Sequence, residues 1–196
     1  MIEALIALAV FTIGIVAAFN YALANQESVR DNFDRYLAVN LAREGLEIVK
    51  NVRDSNWLKI DANVDCDDTV VDIQFCTWDQ DLANGFYTVD YNARYIPVAS
   101  NNISFFAEDK RLYLDNTDYG FYSHNDVGGQ ASNHFRTMEI KTICLDPSSG
   151  AETVEPGACG AGQEKIGRQA IAHVGWQRAG HSRQVEMVDN LYDWRR

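Results

Sequence analysis

The sequence predicts an α+β protein: one long N-terminal α-helix packed on an antiparallel β-sheet head. Three observations carry that expectation. Residues 4–24 form an uncharged run of 21 residues, an amphipathic pattern continues it without proline to residue 53, and short β-branched and aromatic stretches between turn residues fill the rest. The chain's 196 residues are enough to bury a core, and 46% apolar with 23% charged residues places it with globular proteins.

The uncharged run, Ala4 to Ala24, is broken only by Thr12, Gly14 and Asn20. As a helix it rises roughly 30 Å, the thickness of a bilayer core. No Lys or Arg precedes Arg30, and the run exceeds the roughly 7–15 apolar residues of a secretory leader. Two readings therefore stay open. The segment is a permanent membrane anchor, or it is held in lipid for a time and then packs among copies of itself. Small residues at Ala4, Ala7, Ala9, Gly14, Ala17 and Ala18 permit close approach of helices.

Glu3 is the only charge before Glu27. An acid in the first turn favours the helix macrodipole. At mid-bilayer a carboxylate costs about 2.5–3.5 kcal/mol, and less at the membrane edge. Paired with a neighbour's α-amino group, it would pin the register between copies, because a buried charge without a partner is costly.

Beyond the run, Val29, Phe33, Tyr36, Leu37, Leu41, Leu46, Ile48, Val49 and Val52 recur mostly three or four residues apart, with charged residues between them. This is the pattern of a helix with one apolar stripe. Asp31/Arg35, Arg43/Glu47 and Glu47/Lys50 fall at spacings where opposite charges meet on a helix. One continuous helix would be on the order of 80 Å long, with Asp54-Ser55-Asn56 as its exit. The expected organisation is an apolar half-helix (1–25), an amphipathic half (26–55) and a head (56–196).

Within the head, strands are expected at Val70–Phe75, Phe86–Tyr91, Ile103–Phe106, Arg111–Leu114, Tyr119–Tyr122, Arg136–Ile143, Ile171–Gln177 and Gln184–Val188. Asn84-Gly85, Asn101-Asn102, Asp115-Asn116, Gly128-Gly129 and Ala179-Gly180 supply turns. The glycine-containing stretch Ser148–Gly162, with Pro156, is expected to be a long exposed loop. All four cysteines lie in the head: Cys66, Cys76, Cys144 and Cys159. None forms a CxxC pair, which argues against a zinc site. Of the three possible pairings, the local one, Cys66–Cys76 with Cys144–Cys159, is favoured because it closes the two most irregular stretches. Oxidised cysteines imply a compartment outside the cytoplasm.

Charge is segregated. Residues 54–163 carry a net −12 and residues 164–196 a net +2, within a total of −11. An acidic chain offers no field for holding nucleic acid. Asp61, Asp65, Asp67, Asp68 and Asp72 lack the spacing of an EF-hand loop and read as solvated carboxylates. The four histidines form no pair at helical metal spacing, and GxSxG, Walker and GxGxxG motifs are absent. No catalytic residue, metal site or cofactor is therefore expected.

Residues 1–10, Met-Ile-Glu-Ala-Leu-Ile-Ala-Leu-Ala-Val, resemble the mature N-terminus of type IV pilins and pilin-like proteins. The family's motif places Phe-Thr-Leu-Ile-Glu ahead of an apolar helix. Ile2 and Glu3 match its Ile-Glu, Met1 stands in place of its Leu, and its Phe and Thr would precede Met1. Residues 41–57 are more loosely similar to the helix end of minor-pilin-like sequences, and residues 174–195 to their closing strands. Many members carry a proline in the apolar half; here only Gly14 and Asn20 could loosen it. The resemblance implies a ladle-shaped fold, export as a prepilin, cleavage by a prepilin peptidase and single-pass storage in the inner membrane. Pilus assembly machinery would then move the subunit into an extracellular helical filament of identical copies. Met1, Ile2, Glu3, Leu5, Leu8, Phe11 and Gly14 would be assembly residues. Adhesion, motility and uptake all remain open as roles. A minor pilin, a type II secretion pseudopilin and a monomeric membrane-anchored binding module are the competing readings.

Overall fold

The computed structural model describes residues 2–62, 77–92, 106–115, 120–178 and 180–194. It has the expected α+β architecture. A single helix, α1 (Ile2–Ala62), is followed by β1 (Gly85–Tyr87), β2 (Arg111–Asp115), β3 (Tyr122–Ser123), β4 (Gly129–Leu145), β5 (Glu152–Glu155), β6 (Glu164–Arg178) and β7 (His181–Tyr192). The chain divides into two compact units, Met1–Leu37 and Ala38–Arg196.

In the first unit the helix is exposed on every side. Ile2, Leu5, Ile6, Leu8, Phe11, Val16 and Phe19 are all more than half exposed. Thr12, the one aliphatic hydroxyl in the run, donates back to the Ala9 carbonyl at 2.8 Å, so it spends its polar group within the helix.

The second unit is built on an antiparallel sheet of order β3-β2-β4-β6-β7. The 17-residue strand β4 is its axis. One edge of β4 pairs in turn with β2, β1 and β5, and the other pairs with β6 from His134 to Leu145. β6 then pairs with β7 from Gly167 to Arg178. Gly180, at φ +78, supplies the left-handed backbone that the β6–β7 turn needs.

Ala38, Leu41, Ala42, Gly45, Leu46, Val49, Val52 and Asn56 are buried at three- and four-residue intervals, one stripe of α1. Alternation along the strands decides what meets them. Arg136, Met138 and Ile140 of β4 stand beside Val174, Ala172 and Ala170 of β6, and these beside Val185, Met187 and Asp189 of β7. Lys50 of the helix reaches Asp189 at 2.7 Å. A Cβ placed on Gly45 would lie 2.7 Å from the Met138 sulfur, so a glycine is what lets helix and sheet approach there. Each Leu, Ile or Val buried in this layer contributes about 1.5–3 kcal/mol.

The helix runs past its expected exit at residues 54–56 to Ala62. Asn56 does not cap the end. Its amide donates to the Trp78 and Gln80 carbonyls, and Trp57 packs against Trp194 with ring centroids 5.1 Å apart, so tertiary contacts hold the last turns. The expected loop at 148–162 contains β5. Asp146 N–H donates to the Ala151 carbonyl at 2.9 Å, turning the chain so that residues 152–155 lie back along β4. Strand β1 ends at Tyr87 rather than Tyr91, and β3 begins at Tyr122, with Tyr119 of its expected span outside the described residues, while β4, β6 and β7 all extend beyond their expected limits. Their long pairing partners carry polar residues that local pattern alone assigns to turns. The strand expected at 70–75 and most of that at 103–106 lie outside the described residues.

Candidate functional site

The assembly residues expected from sequence fall on one element. Ile2, Glu3, Leu5, Leu8, Phe11 and Gly14 all lie in the exposed first unit of α1, and Met1 is outside the described residues. Nothing approaches within 4 Å of a Cβ built on Gly14. Glu3 has no ion-pair partner among the described residues. The sequence thus concentrates a rod of apolar surface with one acid at its tip. α1 is long and apolar enough to cross a membrane, and none of its most apolar stretch is buried within the chain. The same surface continues past residue 24. Val29, Phe33 and Tyr36, spaced as one helical face, are 67%, 64% and 68% exposed.

Of the expected disulfides, Cys144–Cys159 is present, with 5.6 Å between Cα atoms. It ties the end of β4 across β5. Cys66 and Cys76 lie outside the described residues.

Three polar clusters in the second unit were not expected from sequence. The first fixes the helix to the sheet. Arg136 is completely buried; its guanidinium donates to the Glu44 carboxylate at 3.0 Å, the Leu41 carbonyl at 3.2 Å and the Val89 carbonyl at 2.6 Å. Beside it, His124 places Nδ1 2.6 Å from Asp90 and Nε2 3.2 Å from the Arg136 carbonyl. Burial pushes the Asp90 carboxyl up, but the hydrogen bonds and charge of His124 and the Arg136 charge outweigh it and hold Asp90 below its ordinary value.

The second cluster surrounds Asp79. Lys165 contacts its carboxylate at 2.6 Å and Arg168 at 2.9 and 2.8 Å. Burial again raises the Asp79 carboxyl, and the two cations more than reverse this. Arg168 also donates to Asn84 and Thr142, and Asn84 donates to the Gly157 carbonyl at 2.6 Å, which anchors the disulfide-closed segment. At that segment's turn Asp146 accepts from Ser148 and Ser149, and its carboxyl is lowered to about 2.

The third cluster lies on the sheet face turned away from the helix stripe. His173 of β6 stands between Glu139 of β4 at 3.0 Å and Glu186 of β7 at 3.2 Å, and Glu139 is also 3.0 Å from Lys141. A single metal ion could not use all three ligands, because the carboxylates face opposite ring nitrogens. No group of three or more metal-ligating side chains is gathered around one point among the described residues. The sequence signal for these clusters is weak: each includes a contact between residues at least 34 positions apart, and only the fold brings them together.

Comparison with protein-family models, with characterised proteins and with solved structures returns no match.

Proposed function

We propose that this chain is a structural subunit that polymerises through its N-terminal helix into an extracellular filament of the type IV pilus kind, after a period in the membrane. The single observation that carries the reading is where the exposed apolar surface ends. Residues 4–24 already span a bilayer core. Counting 1.5 Å per residue from Ala24, Phe33 lies roughly 13 Å and Tyr36 roughly 18 Å further along the helix axis. The headgroup layer adds only roughly 5–8 Å on each side. A solitary anchored molecule would hold both aromatic rings in water, at 64% and 68% exposure. Packing against another copy's helix covers them, and helices apolar all round exchange lipid for one another at little cost.

Glu3 fits the same scheme as the one charge that must find a partner when such helices close on each other. The Cys144–Cys159 disulfide suits a head that works outside the cytoplasm.

The test is to shear cells carrying the chain, examine the sheared fraction by electron microscopy, and repeat with Glu3→Ala. Filaments containing the chain, and their loss in a variant that still reaches the membrane, are the expected results. A protein that stays wholly in the detergent-extracted membrane, indifferent to Glu3→Ala, overturns the proposal in favour of a monomeric anchored module.

A further inference from the structure

On the sheet face away from the helix stripe, the second unit has a cavity of about 260 Å³ lined by Phe86, Lys110, Thr137, Glu139, His173, Gln184 and Glu186. We propose that it is a binding site for a neutral sugar, one monosaccharide ring or the terminal residue of a glycan.

Exposure grades across the cavity. Lys110 and Thr137 are 1% and 4% exposed, while Gln184 and Glu186 are exposed. The mouth is therefore on the β7 side, and the floor is formed by β4 and the turn at 108–110. At the floor the Thr137 hydroxyl is buried and has no hydrogen-bond partner among the described residues. Buried polar groups are nearly always partnered, so an orphan in a cavity wall is a sign of a missing polar guest. The volume is below the roughly 300–1,000 Å³ of sites for drug-sized ligands, which restricts that guest to a small molecule.

Charge selects the class. Glu139 is compensated by Lys141 and lies 3.0 Å from one nitrogen of His173, and Glu186 faces the other. Cationic and anionic groups line the cavity together, so neither a free anion nor a free cation meets a field of one sign. What the walls offer is a mixture of hydroxyl, amide, carboxylate and imidazole groups around one aromatic side chain, Phe86. Hydroxyls that donate and accept, on a ring with an apolar face, match that mixture.

The experiment uses the full chain in a detergent without a sugar headgroup. Isothermal titration is run with D-glucose, D-galactose and N-acetyl-D-glucosamine, and with glycine and inorganic phosphate as charged comparators. Saturable binding of at least one sugar is expected, weakened about tenfold or more by Gln184→Ala combined with Glu186→Gln. Thr137→Val keeps the side chain's shape, removes the orphan hydroxyl, and is expected to weaken binding while leaving the thermal midpoint unchanged or higher. Absence of sugar binding, binding of the charged comparators alone, or sugar binding that ignores all three substitutions overturns the proposal. The site lies wholly in the second unit, so its outcome is independent of whether the chain forms filaments.

Discussion

Arg136 illustrates how much a single side chain decides here. Its guanidinium is fully buried and satisfies two backbone carbonyls besides its carboxylate partner. Arg136→Ala is expected to cost about 3–5 kcal/mol, since it leaves both a cavity and buried carbonyls short of a donor. Glu44→Gln keeps a side-chain oxygen to accept from the guanidinium but leaves that fully buried cation without its counter-charge. It is expected to cost about 1–3 kcal/mol, less than Arg136→Ala. Urea unfolding followed by tryptophan fluorescence distinguishes these, and equal losses would mean that the ion pair, rather than the carbonyl contacts, holds the helix. Acid acts on the same scale. Asp79, Asp90 and Asp146 all have folded-state values below their ordinary 3.8. The unfolded chain therefore binds more protons than the folded one in that range. Their contribution is present above the ordinary carboxylate value and is lost as pH falls below it, down to about 2 for Asp146. The thermal midpoint should drop over this window, and Asp79→Asn together with Asp146→Asn should flatten the drop while lowering the midpoint at neutral pH.

At the scale of elements, the Cys144–Cys159 bridge closes a short loop around β5. Its removal as a Cys144→Ala/Cys159→Ala pair is expected to cost about 3 kcal/mol, read as a lowered denaturation midpoint, with a slope no shallower because the unfolded chain is released from a cross-link. Gly167 is the second pressure point. A Cβ there would sit 2.8 Å from the Leu191 carbonyl oxygen in the neighbouring strand. Gly167→Ala should destabilise the second unit by about 1–3 kcal/mol, because backbone in the middle of a ladder cannot give way as a flexible side chain does. These elements also show what a sequence discloses. α1, the Cys144–Cys159 pairing and the centres of β2, β4, β6 and β7 are legible, because periodicity and local spacing define them. The continuation of α1 past residue 56, strand β5 and the Arg136, Asp79 and His173 clusters are not. Each depends on which residue of a distant strand comes opposite, and one step of register changes the answer.

For the whole molecule, the apolar surface beyond residue 24 gives a test that separates storage in lipid from packing among copies. Phe33→Ser combined with Tyr36→Ser leaves the 21-residue run untouched. The double variant is expected to enter the membrane normally and to yield few or no sheared filaments. Filaments at the unaltered level would show that these rings need no cover. The sugar site, if occupied on a surface that repeats along a fibre, would gain avidity from repetition without any change in the individual contact.

Strand β4 lies midway in the chain yet bonds to β1 and β2, which precede it, and to β5 and β6, which follow. A chain delivered N-terminus first therefore exposes the stripe from Ala38 to Val52 long before its cover exists. The interval ends only when residue 178 has emerged and β6 can zip onto β4. Pairing over such separations is slow, so the head's vulnerable period is set by the pace of delivery, and proteases or holding chaperones at the exit have their opportunity then and not afterwards.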